Sequence, residues 1–293
     1  MEIAKNCVVA LGYFDGVHLG HREVVRAAAK RAAALGAPCC ALTFGGDLGG
    51  LFGKSGGSIY TPAEREKLLK EDCGADFVCF APCTREFFSL KKEEFLGWLE
   101  GRLSPAGYAC GFDYTFGAGG EGDAAYLQSE AEKRGKAFVK TPPFSVNGQK
   151  VSATRIKELL KSGRIEEANA LLTRSYFVSG RVIRERGVGR QMGFPTVNLY
   201  PPAEKLPLKN AVYGGHASVG GKTYRAIVNY GARPTFSLEK PLVEAHLIGF
   251  EGDLYGKEME ISFDFFLRDI CRFGGMEELK AQLAKDREEV MNR

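Results

Sequence analysis

The stretch VVALGYFDGVHLGHREVVRAA, residues 8–28, decides how the first half of the chain folds. Its apolar beginning predicts a buried strand, and the glycines that follow predict a tight turn. The periodicity of the apolar residues over 20–34 predicts a helix. His18 and His21 stand at the start of that helix, where backbone N–H groups and the helix dipole favour an anion. Strand, turn and helix together predict a phosphate-binding site.

The two histidines carry the chemistry expected of this turn. His18 and His21 would donate hydrogen bonds to the charge that develops on a triphosphate during nucleophilic attack. Histidines at a helix start can also be caps or surface residues, but the surrounding strand and turn favour the phosphate site. The nucleotide is predicted to contact the rest of the turn as well, at Gly12, Phe14, Asp15, Gly16 and Gly20.

Size and composition fit a two-domain globular protein. The 293 residues can bury two cores, and the apolar fraction is 44% with 26% charged residues. A net charge of +4 suits anionic small molecules and is too small for a nucleic-acid footprint. The eight cysteines form no CxxC pair, which predicts reduced and mostly buried thiols. Without a signal peptide or a long apolar run, the sequence predicts a cytoplasmic protein with no membrane partner, and it leaves the oligomeric state open.

The first half alternates short apolar runs with helical patterns, which is typical of βαβ units. Strands are predicted at residues 7–11, 41–44, 77–80 and 108–111, and helices at 20–34, 61–72, 91–102 and 122–134. Thr61 and Glu64 form a capping-box pattern with Pro62 at the first helical position. We therefore expect a doubly wound, Rossmann-like parallel sheet. The glycine-rich stretch at 45–59 is either a lid over the site or a plain flexible loop.

The pattern of predicted helices and strands changes in the second half of the chain. After two short helical patterns at 154–161 and 164–172, β-type runs are predicted at 176–183, 213–219, 224–230, 242–250 and 258–267. This spacing favours a small antiparallel β-barrel. Residues 276–291 predict an amphipathic terminal helix with Met276, Leu279 and Leu283 on one face. The domain boundary is expected near 172–176, giving domains 1–173 and 174–293.

A second constellation lies in this half. Gly187 and Gly189, beside Arg190, would wrap a phosphate with backbone N–H groups. Thr196 and Asn198 lie two apart, so in an extended strand their side chains face the same side. A hydroxyl and an amide oxygen there would orient Mg²⁺ and the phosphates of ATP.

These motifs resemble known families. Residues 8–28 resemble the HxGH nucleotidyltransferases, and residues 151–157 resemble the second motif of that superfamily. The resemblance implies that the phosphates contact Ser152, Thr154, Arg155 and Lys157. The whole chain resembles the bacterial bifunctional riboflavin kinase and FAD synthetase family. That wider likeness rests on residues 82–84, 111–117, 122–123, 187–198, 229–236, 243–247 and 266–268.

The resemblance implies two reactions. In the barrel, ATP would phosphorylate riboflavin to FMN, with Thr196 and Asn198 holding Mg²⁺ and phosphates. There Glu244 would be the base toward the ribityl hydroxyl, and Arg268 would help place the flavin. In the first domain, the phosphate of FMN would attack the α-phosphorus of ATP, giving FAD and pyrophosphate. Asp113 would position flavin or nucleotide there, or it could equally be a turn residue before Tyr114.

Three positions depart from the family pattern and keep alternatives open. Residues 45–47 are Gly-Gly-Asp where the family has a Pro-His-Pro-like segment, Ala153 replaces a serine, and Lys157 replaces an arginine, whose bidentate fork lysine lacks. The alternatives are a riboflavin kinase with a weak or inactive adenylyltransferase domain, a nucleotidyltransferase with another acceptor, and a flavin- or RNA-binding regulator. Glu244 alternates with apolar neighbours, so it could instead form an outward cross-strand ion pair.

Overall fold

A computed structural model describes residues 5–53, 56–184, 194–232 and 241–293. The chain forms two compact units that divide between Arg155 and Ile156. The helices, in chain order, are α1 (Leu19–Ala34), α2 (Leu48–Leu51), α3 (Pro62–Glu71), α4 (Arg85–Phe88), α5 (Lys92–Leu103), α6 (Ala124–Lys133), α7 (Ala153–Ser162), α8 (Ile165–Asn169) and α9 (Met276–Asn292).

The first unit is built on a parallel sheet. Its strands are β1 (Val8–Leu11), β2 (Cys39–Phe44), β3 (Phe77–Ala81), β4 (Gly107–Gly111), β5 (Thr115–Phe116), β6 (Gly122–Asp123), β7 (Ala137–Thr141), β8 (Ser145–Val146) and β9 (Gln149–Lys150). The sheet order is β3-β2-β1-β4-β7 and all its pairs are parallel, which confirms the predicted fold. The strand order reverses between β1 and β4, so their carboxyl ends form the crevice where such sheets bind ligands.

The core of this sheet contains the thiols that the sequence predicted to be buried. Cys7, Cys40 and Cys110 are fully buried among Val9, Leu11 and the apolar face of α5. Burial raises the pKa of the Cys110 thiol to about 12, so it stays protonated and packs as a small apolar group. All eight cysteines are free.

Local hydrogen bonds explain where the helices begin. The capping box at α3 is confirmed, since the N–H of Glu64 donates to Thr61 Oγ1 at 3.2 Å and the N–H of Thr61 donates to Glu64 Oε2 at 2.9 Å. The helix predicted from residue 122 begins later, at Ala124. Gly122 and Asp123 pair instead with β5, and Asp123 caps α6 through the N–H of Tyr126.

The glycine-rich stretch makes side-chain hydrogen bonds in its described part. Asp47 caps α2 by accepting from the N–H groups of Gly49 and Gly50. The hydroxyl of Tyr13 lies 3.3 Å from Ser58 Oγ and accepts from the N–H of Leu48 at 3.3 Å. The described residues of this stretch are therefore hydrogen-bonded to one another and to the turn after β1, and both the lid and the flexible-loop interpretations stay hypotheses.

The second unit contains the predicted barrel. Its strands are β10 (Phe177–Arg181), β11 (Val197–Leu199), β12 (Ala211–Val219), β13 (Lys222–Ala232), β14 (Pro241–Leu247) and β15 (Glu258–Asp269). Among the described residues they pair antiparallel in the order β10-β15-β12-β13-β14-β11. A bridge between Ile183 and Asn198 brings the two edges together, with the N–H of Ile183 donating to the carbonyl of Asn198 at 2.8 Å. The barrel is thus nearly closed.

Two glycines allow the barrel to curl. The register between β12 and β15 shifts on either side of Tyr213–Gly214. A Cβ on Gly215 would lie 1.9 Å from the carbonyl oxygen of Ser262, and one on Gly214 would lie 2.1 Å from the ring of Phe265. Only glycine therefore permits this close approach, which bends the long strands into a barrel.

The terminal helix α9 exists as predicted, and its predicted face is the one that packs, since Leu279 and Leu283 are half-buried and share that face with Asp286 and Val290. Met276 is exposed, whereas Asp286 and Val290 are buried. Asp286 is buried because the guanidinium of Arg268 donates to both of its oxygens, at 2.7 and 3.0 Å, and Gln282 donates to it at 2.8 Å. An ion pair, which a search for apolar periodicity does not detect, anchors the middle of the helix.

Replacing Asp286 with alanine should destabilise the barrel. The change leaves the mostly buried guanidinium of Arg268 without its carboxylate, which costs about 3 kcal/mol of unfolding free energy, the low end for a broken buried pair. Scanning calorimetry measures this loss in the barrel transition, while the fluorescence of Trp98 follows the other unit. Glu289→Ala, which removes an exposed partner of Arg293, should cost less than about 0.5 kcal/mol. Equal losses in both variants would contradict the anchoring role.

Candidate active sites

The turn after β1 lies at the point where the strand order of the parallel sheet reverses. Phe14 and Val17 have positive φ values of 54° and 38°, so the chain makes a tight, strained reversal before α1. His18 is the N-cap of α1, since its Nδ1 accepts from the N–H of His21 at 3.2 Å. The cap interpretation and the predicted phosphate site are therefore compatible, because capping uses one ring nitrogen and leaves the other.

The two histidine rings form a stack. Their centroids are 3.5 Å apart with an interplanar angle of 17°, and the ring of Phe14 meets His21 edge-on. Burial lowers the pKa of His18 to about 4, and burial together with the nearby His18 lowers the pKa of His21 well below its usual value. Both rings are therefore neutral at pH 7. Because Nδ1 of His18 accepts a hydrogen bond, its proton resides on Nε2, which is available as a donor.

The other predicted residues of the turn build its shape. Asp15 is buried and accepts from the N–H of Ile59 at 2.8 Å, which joins the end of the glycine-rich stretch to the turn. A Cβ on Gly12 would lie 2.7 Å from the ring of Phe14, and one on Gly20 would lie 3.2 Å from the ring of His18. Gly16 is buried in the same turn.

A cavity of about 290 Å³ joins the turn to the second predicted motif. It is lined by His18, Gly20 and His21 from the turn, by Asp113 after β4, and by Ser152 and Ala153 at the start of α7. Ser152 Oγ accepts from the N–H of Arg155 at 3.4 Å, so it caps α7. The two helix starts thus meet at one cavity, where their backbone N–H groups favour an anion.

The remaining residues of that motif lie elsewhere. Thr154 is exposed and Arg155 is half-buried, and neither lines the cavity. Lys157 belongs to the second compact unit. Lys150, which sequence reasoning did not single out, lines the cavity and pairs with Asp113 at 2.7 Å.

A larger cavity of about 560 Å³ adjoins the turn and has aromatic walls. Tyr13, Phe14, His21, Val24, Gly111 and Asp113 line both cavities. The aromatic side chains that line this larger cavity alone are Phe44, Phe52, Phe87, Phe88, Phe95, Tyr114 and Phe116. Such walls suit a flat aromatic ligand. The sequence did not reveal this wall, because its members come from five separate segments and show no common spacing.

Arg65 is a further residue that the sequence did not reveal. It is fully buried on α3 and donates to the carbonyls of Tyr13 at 3.0 Å and Phe44 at 2.9 Å, and it lies 5.0 Å from the centre of the Tyr13 ring. It therefore fixes the chain where it leaves β1 and β2. A charged residue beside the buried Leu68 and Leu69 was the available signal, because arginine is rarely buried without specific partners.

In the barrel, the predicted catalytic residues lie together. Thr196 Oγ1 donates to Glu244 Oε1 at 3.0 Å, and Asn198 stands opposite Glu244 in the pairing of β11 with β14. Asn198 is buried, and its side-chain oxygen Oδ1 has no hydrogen-bond partner. A buried, unused acceptor beside a carboxylate indicates a ligand site, because unpaired polar atoms are costly.

A cavity of about 720 Å³ opens beside this group. Thr196 and Asn198 line it, together with Val182, Arg184 and the segment 250–255. His246 supports the segment before β11, since its Nδ1 lies 2.9 Å from the carbonyl of Pro195 and its ring meets Phe194 edge-on. Burial lowers the pKa of His246, so it is neutral at pH 7.

The other predicted barrel residues are not joined to this group. Arg268 is engaged with Asp286 of α9, and its predicted contact with flavin stays a prediction. Gly187, Gly189 and Arg190 lie outside the described residues. Within the described ranges there is no cluster of three or more His, Cys, Asp or Glu that could hold a metal, and no helix there is long and apolar enough to cross a membrane.

Two family models match the chain and divide it much as the structure does. The model described as FAD synthetase matches residues 1–155, and the model described as riboflavin kinase matches residues 172–293. The first match contains both cavities around the histidine turn. The second contains Thr196, Asn198 and Glu244.

Individual proteins resemble the chain over nearly its full length. The bifunctional riboflavin kinase/FMN adenylyltransferase of Bacillus subtilis is 32% identical over 296 residues, covering 99% of this chain and 93% of that protein. The enzyme of the same name from Escherichia coli K12 is 31% identical over 284 residues, covering 96% and 91%. The crystal structure of a macrolide-efflux protein from Streptococcus pneumoniae superposes with a TM-score of 0.89 at 29% identity, covering 99% and 95%.

Proposed function

The chain belongs to the bifunctional riboflavin kinase/FMN adenylyltransferase family, and from that premise we propose which residues carry out its two reactions. The protein is a transferase that uses ATP to convert riboflavin into FMN and FMN into FAD. The C-terminal part performs the first reaction and the N-terminal part the second.

For phosphorylation, Glu244 is the base toward the ribityl hydroxyl. The observation that supports this most is the 3.0 Å hydrogen bond from Thr196, which orients the carboxylate beside the cavity that Thr196 and Asn198 line. A carboxylate so held accepts the hydroxyl proton as the hydroxyl oxygen attacks the terminal phosphorus of ATP. This favours catalysis over the alternative of an outward cross-strand ion pair.

The same residues fit a magnesium ion. Asn198 Oδ1 is a buried oxygen without a partner, and Thr196 keeps lone pairs on Oγ1 while it donates its proton to Glu244. Mg²⁺ takes oxygen ligands, and the substrate phosphates and water molecules would supply the rest of its octahedral shell. Thr196 and Asn198 would hold the ion, which supplies positive charge to the transferred phosphoryl group.

For adenylyl transfer, the neutral His18 donates from Nε2 to the phosphates, with the stacked His21 beside it. The cavity that contains His18, Ser152 and Asp113 supports this assignment. The adjoining aromatic cavity receives the flavin ring of FMN, so that its phosphate reaches the nucleotide at the shared residues of the two cavities. The start of α7 at Ser152 adds a second set of backbone N–H groups.

The departures from the family pattern do not remove the elements of this site. Ala153 is the first residue of α7, where the backbone still presents its N–H groups. Asp47, the last residue of the Gly-Gly-Asp segment, caps α2. We propose the domains as 1–173 and 174–293, although residues 156–173 pack with the barrel unit, where Asn169 donates to the carbonyl of Phe263 at 2.8 Å. The cytoplasmic location and the lack of a nucleic-acid partner stay predictions.

Incubation of the purified protein with riboflavin and Mg-ATP tests the two assignments together. Chromatography over time should show FMN forming first and FAD following it. FMN that accumulates without FAD would favour the alternative of an inactive adenylyltransferase domain. FAD formed only from added FMN would contradict the kinase assignment, and the removal of Mg²⁺ with a chelator should stop FMN formation.

A further inference from the structure

The cavity around His18 contains very little positive charge for a site that must hold phosphates. Its histidines are neutral at pH 7, and the carboxylates Asp15 and Asp113 line it. Among the described residues that line this cavity, Lys150 is the one with a full positive charge. ATP and FMN together bring several negative charges, so a fixed cation matters here more than elsewhere in the unit.

The backbone directs Lys150 toward this cavity. Lys150 ends the hairpin of β8 and β9, and the next residue, Val151, donates its N–H to the carbonyl of Phe144 at 2.9 Å. Ser152, the cap of α7, follows directly. The lysine is therefore part of the same chain reversal that aims the start of α7 into the cavity.

The side chain of Lys150 is held in place from the opposite side. Its Nζ lies 2.7 Å from Asp113 Oδ2 and 4.5 Å from the centre of the Phe112 ring. Asp113 follows β4, so this ion pair joins the hairpin to the crevice of the sheet. Both side chains are about half exposed, at 50% and 58%, and ion pairs of this kind are weak. Breaking this ion pair so that the ammonium group can contact a phosphate therefore costs little free energy.

We infer that Lys150 binds the phosphates of the nucleotide during FAD synthesis and that Asp113 holds its ammonium group at the cavity until the nucleotide arrives. The inference rests on the adenylyl transfer proposed above. In that reaction a phosphate oxygen of FMN bonds to the α-phosphorus of ATP. The bond from that phosphorus to the bridging oxygen breaks, and its electron pair leaves with pyrophosphate. Lys150 neutralises the charge that gathers on this leaving group.

Kinetic analysis of Lys150→Met tests the inference. With saturating FMN, the KM for ATP in FAD synthesis should rise at least about tenfold, since a charge-assisted contact to phosphate is lost. Lys150→Arg keeps the charge and should retain most of the affinity. The matched control is Lys133→Met, because Lys133 is also an exposed lysine paired with a carboxylate, on α6 away from both cavities. FMN formation by the same preparations should be unchanged.

The pH profile separates a charge effect from a structural one. Burial and the positive charge of Lys150 lower the pKa of His18, whereas the negative charge of Asp113 raises it. The ring of His21 is stacked against that of His18. Without the lysine, the acid limb of kcat/KM for FAD formation should move to higher pH. A lysine that only supports the fold would leave that limb in place.

The outcomes are distinct. An unchanged KM for ATP in Lys150→Met overturns the inference while FAD formation itself stands. If the wild-type protein forms no FAD, the proposed function of the first unit fails, and calorimetric titration with inorganic pyrophosphate then tests the contact directly. Binding at least about tenfold weaker in Lys150→Met than in Lys133→Met supports the inference, and equal binding overturns it.

Discussion

Glu244→Gln should slow riboflavin phosphorylation at least about a hundredfold and leave adenylyl transfer intact. The amide is almost the same size as the carboxylate, and its oxygen still accepts the hydrogen bond that Thr196 donates. It cannot accept the proton of the ribityl hydroxyl, so FMN formation should fall by a factor of about 10² to 10⁴. Product analysis with riboflavin as substrate measures the loss.

The second reaction provides the internal control for this variant. Added FMN should be converted to FAD at the wild-type rate, which shows that the protein is folded. Glu258→Gln is the matched control, because Glu258 is an exposed carboxylate on the same barrel, paired with Arg181 at 3.3 Å. Normal FMN formation by Glu244→Gln would rule out the proposed base.

His18→Asn should produce the opposite pattern, with FMN accumulating and FAD scarce. Asparagine keeps an oxygen that can cap α1, but it lacks the Nε2–H donor of the imidazole. Loss of one donor to a developing negative charge lowers the rate by a factor of about 10² to 10³. Timed chromatography of FMN and FAD, with FMN and ATP supplied, measures this step alone.

The cap and the catalytic role of His18 are separated by a second variant. His18→Ala removes both, and the lost cap should lower the stability of the first unit by about 1 kcal/mol, followed through Trp98. If His18→Asn forms FAD normally while His18→Ala does not, the histidine acts only as a cap. That result would move the catalytic role away from His18.

Acid should destabilise the first unit partly through this histidine. The pKa of His18 is about 4 in the folded state against the ordinary histidine value of 6.5, so the unfolded chain binds more protons between these values. Stability is unaffected by this group above about pH 6.5 and falls as the pH drops toward 4, by a total on the order of 3 kcal/mol. The difference in stability between wild type and His18→Asn should shrink over that interval.

The sequence predicted the helices and strands that have strong local signals. It did not predict the features that depend on contacts between distant residues. Residues 8–28 contain strand, turn and helix in one stretch, and the Thr61 capping box marks the start of α3 to the residue. Strand β7 was missed because its side chains are mostly half-exposed and Lys140 interrupts the apolar run. The burial of Asp286 on α9 was missed because Arg268, from a distant strand, determines that this carboxylate is inside.

The candidate sites followed the same rule. Motif resemblance identified Thr196, Asn198 and Glu244. Their spacing does not show that they meet, because Glu244 lies 48 positions after Thr196 and 46 after Asn198, and only the pairing of β11 with β14 brings them together. The sequence did not reveal Lys150, because its role depends on an ion pair with Asp113, which follows a different strand, β4. The chemistry of a residue is local, whereas its surroundings depend on topology.

The nearly closed barrel links ligand binding to the stability of the barrel. In the described residues its edges meet at the bridge between Ile183 and Asn198, and the same asparagine presents the buried oxygen of the phosphorylation site. The cavity at this site is lined by Val182 from one edge and by Asn198 from the other, so a ligand bound in it would contact both edges of the barrel. A free ligand concentration of a hundred times Kd would raise the free energy of unfolding by about 2.7 kcal/mol. The barrel therefore becomes more stable when its substrate is abundant and less stable when it is scarce.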